Sequence, residues 1–398
     1  MAASSPPSFY SRKDVSMLHF THEEFAARLD QLTAAMADKG LDAMLLFSQE
    51  SMFWLTGYDT FGYCFFQSLV VKRSGEMALL TRSADLRQAR HTSTLDEIVV
   101  WKDGGTAKPV TDLKNLLTDM DLLGARIGVE YDTSGLNAHY GRLLDEMLTT
   151  FAQPQDQSTL IPMMRTVKSD AELKHVRKAA KLSDDALDAA LATAKGGADE
   201  GLILSAMQGA IFEGGGDYAG NEFIIGSGDD ALLCRYKSGR RKLSKNDQLT
   251  LEWSGAFAHY HAPMMATLVV GKERPEHAAY FEAALAALTA VEDAMVAGNT
   301  FGDVFDAHAK AMDVHNLSRH RLNACGYSVG AVFSPCWMDK PMFYAGNEHV
   351  IVPNMTLFAH MIIMDSDTET AMTLGQTYIT GEKKPKGLSR HPMQMLKV

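Results

Sequence analysis

Residues 247–270, DQLTLEWSGAFAHYHAPMMATLVV, hold a strand, a tight turn and a second strand. The pattern returns downstream in MTLFAHMIIM and TLGQTYIT, and NEFIIGSG precedes it. Strands that arrive in hairpins build a mostly antiparallel sheet, and with helices between them the domain is α+β. Its first helix is set by TVKSDAELKHVRKAAKLSDDALDAALATAKGG. There Ser169-x-x-Glu172 forms a capping box, and Leu173, Val176 and Ala180 continue an apolar face.

Upstream the pattern changes. THEEFAARLDQLTAAMADKGLDAMLLF has helical spacing at Phe25, Leu29, Leu32 and Met36, with Gly40 as its C-cap. DAMLLFS and FQSLVVKRSGEMALLTR read as strands, with a hairpin around Ser74-Gly75, and RIGVEYDT as a further buried strand. Strands alternate with helices up to about residue 155, which describes a small α/β domain. The expected organisation is an N-terminal arm (1–20), an α/β domain (21–158) and a larger α+β domain (159–398).

A chain of 398 residues is too long for one ordinary core. Its formal net charge of −11 argues against a nucleic-acid or anionic-membrane partner. The start has no apolar signal region, and no run reaches the ~18 apolar residues of a membrane span. Cys64, Cys234, Cys325 and Cys336 form no CxxC pair and read as reduced thiols of a cytoplasmic protein.

Several residues carry chemistry. Glu252 lies inside an apolar strand, where a carboxylate is costly unless partnered by an ion pair or used in a site. His259 and His261, two apart, are expected on one strand face looking into a cleft, although a surface turn also accommodates His259. With Glu252 or His360 they could hold a single metal ion. Arg235, Lys237, Arg240 and Arg241 form a basic run of the kind that usually covers a solvated hairpin. His360, between Ala359 and Met361, fits a hydrogen-bonded core histidine as well as a site residue. Phe53, Trp54, Tyr58, Phe61 and Tyr63 fit either plain core or an aromatic lid over a cationic ring.

In order and spacing, WLTGY (54–58), RTVKSDAELKHVRKAA (165–180), GSG (226–228), the hairpin, CGYSVG (325–330) and VPNMTLF (352–358) resemble the creatinase and Xaa-Pro peptidase superfamily. The resemblance implies a pita-bread C-terminal domain behind a smaller creatinase-type α/β domain. Peptidases of that fold hold two divalent ions with Asp, Asp, His, Glu and Glu. The corresponding places here are Glu252, Pro263, the Gly326-Tyr327 step, His360, and Leu374 or Gly375. One carboxylate of four remains, too few to neutralise and bridge two hard cations.

Two branches of the superfamily work without metal, the creatinases and the ectoine hydrolases. WLTGYDTFGYCFFQ with its trailing Gln67, GGGDY (214–218), Glu252, the Tyr260-His261 pair, Pro263 and GYSVGAVFSPCW are similar to the second branch. The resemblance implies Glu252 as the attacking carboxylate, while His261, expected to look into the cleft, is read as an acid/base or substrate ligand. Arg235, Tyr327, His360, His259, Tyr58, Phe61 and Gln67 are the candidate substrate contacts, although Tyr327 fits a core tyrosine as well. The histidine that both metal-free branches place upstream of the hairpin acid falls on Arg235, which stays protonated and suits gripping a carboxylate.

The expected function is metal-independent hydrolysis of a C–N bond in a small zwitterion such as ectoine or creatine. No cofactor is expected. The resemblance also implies a homodimer in which the N-terminal loop lies near the neighbouring subunit's site. The alternatives are a metal-dependent Xaa-Pro dipeptidase or aminopeptidase, and a non-catalytic binding protein of the same fold.

Overall fold

The computed structural model describes residues 17–235 and 240–398. Most of the expected N-terminal arm, and Lys237 of the basic run, lie outside the described residues. The chain divides into two compact units, Met1–Ile161 and Pro162–Val398.

The first unit is built on a six-stranded sheet of order β4-β3-β2-β1-β5-β6. Its strands are β1 (Ala43–Leu46), β2 (Ser68–Lys72), β3 (Met77–Arg82), β4 (Glu97–Trp101), β5 (Arg126–Val129) and β6 (Gln153–Asp156). The hairpin expected around Ser74-Gly75 is present between β2 and β3, and the outer pairs are parallel. Helices α1 (His22–Asp38), α2 (Gln49–Thr56), α3 (Leu86–Thr92), α4 (Pro109–Asp119) and α5 (Ala138–Phe151) complete it. α1 starts on Thr21, whose side chain accepts from the Glu24 N–H, and buries Phe25, Leu32 and Met36. Phe53 and Trp54 belong to α2 and are buried, so the aromatic run opens as a core helix.

The short α6 (Leu160–Met164) begins at the end of the first unit and runs into the second, which contains a nine-stranded sheet. Seven strands follow the order β11-β10-β12-β13-β9-β8-β7. These are β7 (Ile224–Ser227), β8 (Asp247–Phe257), β9 (Tyr260–Val270), β10 (Gly326–Ser328), β11 (Asp339–Met342), β12 (Thr356–Asp365) and β13 (Thr370–Ile379). The short β14 (Lys386–Gly387) pairs β13, and β15 (Leu396–Lys397) pairs β9 in parallel. Four helices, α7 (Asp170–Thr193), α8 (Glu200–Glu213), α9 (Pro275–Ala294) and α10 (Phe301–Val314), cover the sheet. The Ser169–Glu172 capping box that starts α7 is fully formed. Trp253 fixes α7 to β8, since its indole N–H donates to the Ser183 carbonyl at 2.8 Å and its ring is fully buried.

The sheet is antiparallel except at β15 and curled, which is the pita-bread architecture, and the first unit is of the creatinase-type α/β kind. Among the described residues no helix is long and apolar enough to cross a membrane.

Candidate active site

The β8–β9 hairpin turns through Ala258 and His259, both at positive φ (49° and 62°). This is the turn that suits strand twist, although its usual residues are Asn and Gly. The strain is held by neighbours. The His259 N–H donates to Asp217 Oδ2 at 3.2 Å, and the His259 carbonyl accepts from the Val332 N–H at 3.1 Å. The Tyr260 hydroxyl donates to Glu172 Oε1 at 2.7 Å, which ties the turn to the first turn of α7.

Two expectations for the histidines change here. His259 sits in the turn, its ring stacked on Phe333 at 4.1 Å, so it does not share a strand face with His261. His261 is fully buried with both ring nitrogens engaged by backbone. Its Nε2 accepts from the Gly220 N–H at 2.8 Å, which leaves the proton on Nδ1, donating to the His259 carbonyl at 2.7 Å. Burial, the leading cause, holds its pKa down to about 4. With both ring nitrogens on backbone groups, His261 braces the turn.

Glu252 lies in the middle of β8 between Ile224 and Met265 on the flanking strands. Leu251 and Trp253 point into the core, so strand alternation sends the Glu252 carboxylate to the other face. Burial pushes its pKa up to about 7, while the Arg235 charge and the Tyr327 hydroxyl pull the other way. Tyr327, buried on β10, donates to Glu252 Oε1 across 3.5 Å. Its own oxygen accepts from the Trp337 indole N–H at 2.8 Å. The His360 ring lies 5.7 Å from the Tyr327 ring, centre to centre.

His360 is held neutral, its pKa lowered to about 3 by burial first and then by the charges of His308 and Arg235. Among the described residues its Nδ1 has no hydrogen-bond partner, and neither has Nδ1 of the buried His308 on α10. Arg235 is exposed, with Nη2 4.0 Å from Met338 Sδ, and its charge acts on Glu252, Tyr327 and His360. Glu252, Tyr327 and His360 therefore lie together, within reach of the Arg235 charge, and form the candidate site.

Tyr58 and Gln67 have an internal role in the first unit. Both are buried, the Tyr58 hydroxyl donates to Gln67 Oε1 at 3.1 Å, and Gln67 Nε2 donates to Gln49 Oε1 at 2.9 Å. They are interior residues of that unit. Phe61 is 79% exposed on the same unit. Trp337 was given no role by sequence reasoning; the only signal was an aromatic residue closing the CGYSVGAVFSPCW stretch.

A dinuclear metal centre does not fit these residues. Pro263 stands opposite Ser254 and offers no side-chain donor. Gly375 lies opposite His360 and next to Met265. A Cβ on Gly375 would come within 2.8 Å of the Ala359 carbonyl oxygen, so no larger ligand residue fits without moving backbone. Among the described residues, three ligating groups converge at His320, Asp365 and Asp367, outside this site.

Comparison with known proteins agrees with the fold. The profile of the Creatinase/Prolidase N-terminal domain matches residues 28–167, and that of Metallopeptidase family M24 matches residues 174–382. The chain belongs to metallopeptidase family M24. It is 26% identical to the ectoine hydrolase of Halomonas elongata over 360 residues, covering 85% of this chain and 89% of that one. It is 23% identical to an uncharacterised hydrolase/peptidase of Sinorhizobium fredii, covering 96% and 99%. Its fold is shared with the prolidase of Thermococcus sibiricus (TM-score 0.85, 17% identity, 94% of this chain and 99% of that one). The dipeptidase PepE of Mycobacterium ulcerans is similar too (TM-score 0.83, 21% identity, 95% and 99%). The family and these relatives are hydrolases.

Proposed function

We propose that this chain hydrolyses a C–N bond in a small zwitterion of the ectoine or creatine type, without a bound metal, using Glu252 as the reacting carboxylate. The observation that carries this reading is Glu252 itself. It is a buried carboxylate poised near neutrality, with a phenol and a cation acting on it, in a set that lacks partners for two metal ions.

Ionised Glu252 takes a proton from the water that attacks the amidine-like carbon, and passes that proton to the leaving nitrogen. The C–N bond then breaks as the nitrogen leaves with a proton, and the sum is addition of water across that bond. Arg235, exposed and charged, suits the carboxylate of such a substrate. Neutral His360 supplies a hydrogen-bonding group without a competing charge. The similarity to the Halomonas elongata ectoine hydrolase supports the substrate class.

Incubating the purified protein with ectoine and, separately, with creatine tests the reading. Mass spectrometry should detect a product one water heavier from ectoine, or urea from creatine, and Glu252→Gln should form neither. Loss of both substrates as candidates, with no hydrolysis by the wild type, would overturn it.

A further inference from the structure

An indole N–H can only donate, so the contact from Trp337 Nε1 to the Tyr327 hydroxyl at 2.8 Å fixes the direction of the bond. The Tyr327 oxygen is the acceptor, and its single proton must go elsewhere. Among the described residues its hydroxyl donates to Glu252 Oε1, at 3.5 Å. Both aromatic residues are buried, Trp337 at 1% exposure and Tyr327 at 3%.

Trp337 is itself held from behind. Its backbone N–H donates to Asn221 Oδ1 at 3.1 Å. The adjacent Gly220 N–H donates to His261 Nε2 at 2.8 Å, and a Cβ on Gly220 would meet the Cys336 carbonyl oxygen at 3.0 Å. Asp217, in the same segment, takes the His259 N–H and gives its own N–H to the Ala256 carbonyl. A continuous set of contacts thus runs from the strained hairpin turn through residues 217–221 to Trp337, Tyr327 and Glu252.

We infer that Trp337 is a positioning residue: its indole N–H aims the Tyr327 hydroxyl proton at the Glu252 carboxylate and so favours the ionised, reactive form. His261 contributes from a distance by anchoring the segment that carries Asn221. The inference rests on the proposed role of Glu252 for its catalytic meaning, but the hydrogen-bond coupling stands apart from turnover. Besides Tyr327, the charged or titratable groups acting on Glu252 among the described residues are Arg235 and Cys234.

The test is a pH titration of the full-length protein carrying 15N-labelled tryptophan, which has four indole N–H signals. One signal should shift between pH 5 and 9 with the midpoint of Glu252, measured independently from its 13C-labelled carboxyl. That shift should vanish in Glu252→Gln and in Tyr327→Phe, and the shifting signal should be the one missing from Trp337→Phe. Trp337→Phe should also raise the Glu252 midpoint by roughly half to one pH unit, as Tyr327→Phe does, with no further rise in the double variant. Where Trp337→Phe does not fold, the wild-type, Glu252→Gln and Tyr327→Phe titrations suffice. Four flat indole signals, or a shift that persists in Tyr327→Phe, would overturn the inference. Neither outcome depends on whether ectoine or creatine is hydrolysed.

Discussion

The Tyr327 hydroxyl lies 3.5 Å from the Glu252 carboxylate, although their strands stand four places apart in the sheet. In a flat sheet that separation would be about 19 Å. Curling closes the gap and turns residues from β8, β10 and β12 into one site. It also buries Glu252 without giving its carboxylate a full-strength ion pair, since Arg235 stays exposed. A buried, weakly partnered carboxylate is a main cost in the site, which is the physical mark of a candidate functional group.

Replacing Glu252 by glutamine should lower turnover by about 10²- to 10⁴-fold, because the amide neither attacks nor takes a proton. The same change should stabilise the fold at neutral pH. The carboxyl pKa is raised from 4.5 to about 7 in the folded chain, so the native state binds the proton more tightly than the unfolded state. Stability is therefore lost as pH rises from about 4.5 to about 7, amounting to about 3 kcal/mol above that window. Thermal melts of wild type and variant should agree near pH 4.5, and the variant should melt higher at pH 8. A wild type that melts higher at pH 8 would show Glu252 to be well paired.

The pH dependence of kcat/KM should rise through a single acidic limb near pH 7, where Glu252 ionises. His261 and His360 are held neutral down to about pH 4 and pH 3, so neither adds a limb between pH 5 and 9. A profile flat across pH 5 to 9 would remove Glu252 as the titrating group.

His261→Ala should damage stability more than chemistry. It leaves the Gly220 N–H and the His259 carbonyl without their partner, at a cost of about 1–3 kcal/mol. The melting temperature should fall while kcat drops by less than about tenfold. A loss of turnover as large as that of Glu252→Gln, with an unchanged melt, would restore the acid/base role to His261.

Arg235→Ala should lower kcat/KM for an anionic or zwitterionic substrate by about 10- to 100-fold, since one charge-assisted hydrogen bond is lost. It should also move the acidic limb upward, because the Arg235 charge favours ionised Glu252. Arg235→Lys should restore the limb more fully than the affinity, as a lysine keeps the charge but not the fork. Turnover and limb both unchanged in Arg235→Ala would leave Arg235 a surface charge.

The fold was legible where local pattern decides it. The capping box at Ser169, the β2–β3 hairpin and the alternation along β8 and β9 are short-range signals, and the structure shows each. Glu252 was legible for the same reason, as a charge in an apolar strand. The fate of the histidines was not, because it depends on which backbone groups meet their nitrogens. Gly220 is far from His261 in sequence, and the turn that takes His259 off the strand face uses Ala and His where Asn and Gly are usual. Trp337 escaped notice because its meaning lies in one directed hydrogen bond across the curled sheet. The aromatic run around Tyr58 and Gln67 was legible only as a run: part of it is a core helix and part a buried polar pair, which depends on long-range packing.

The most direct measurement compares ectoine, creatine and an Xaa-Pro dipeptide as substrates of the metal-stripped protein, with and without added manganese, cobalt or zinc. Hydrolysis of ectoine or creatine by the stripped wild type, unaffected by added metal and absent in Glu252→Gln, is the expected result. Dipeptide cleavage that appears only with metal, and no hydrolysis of either zwitterion, would contradict it.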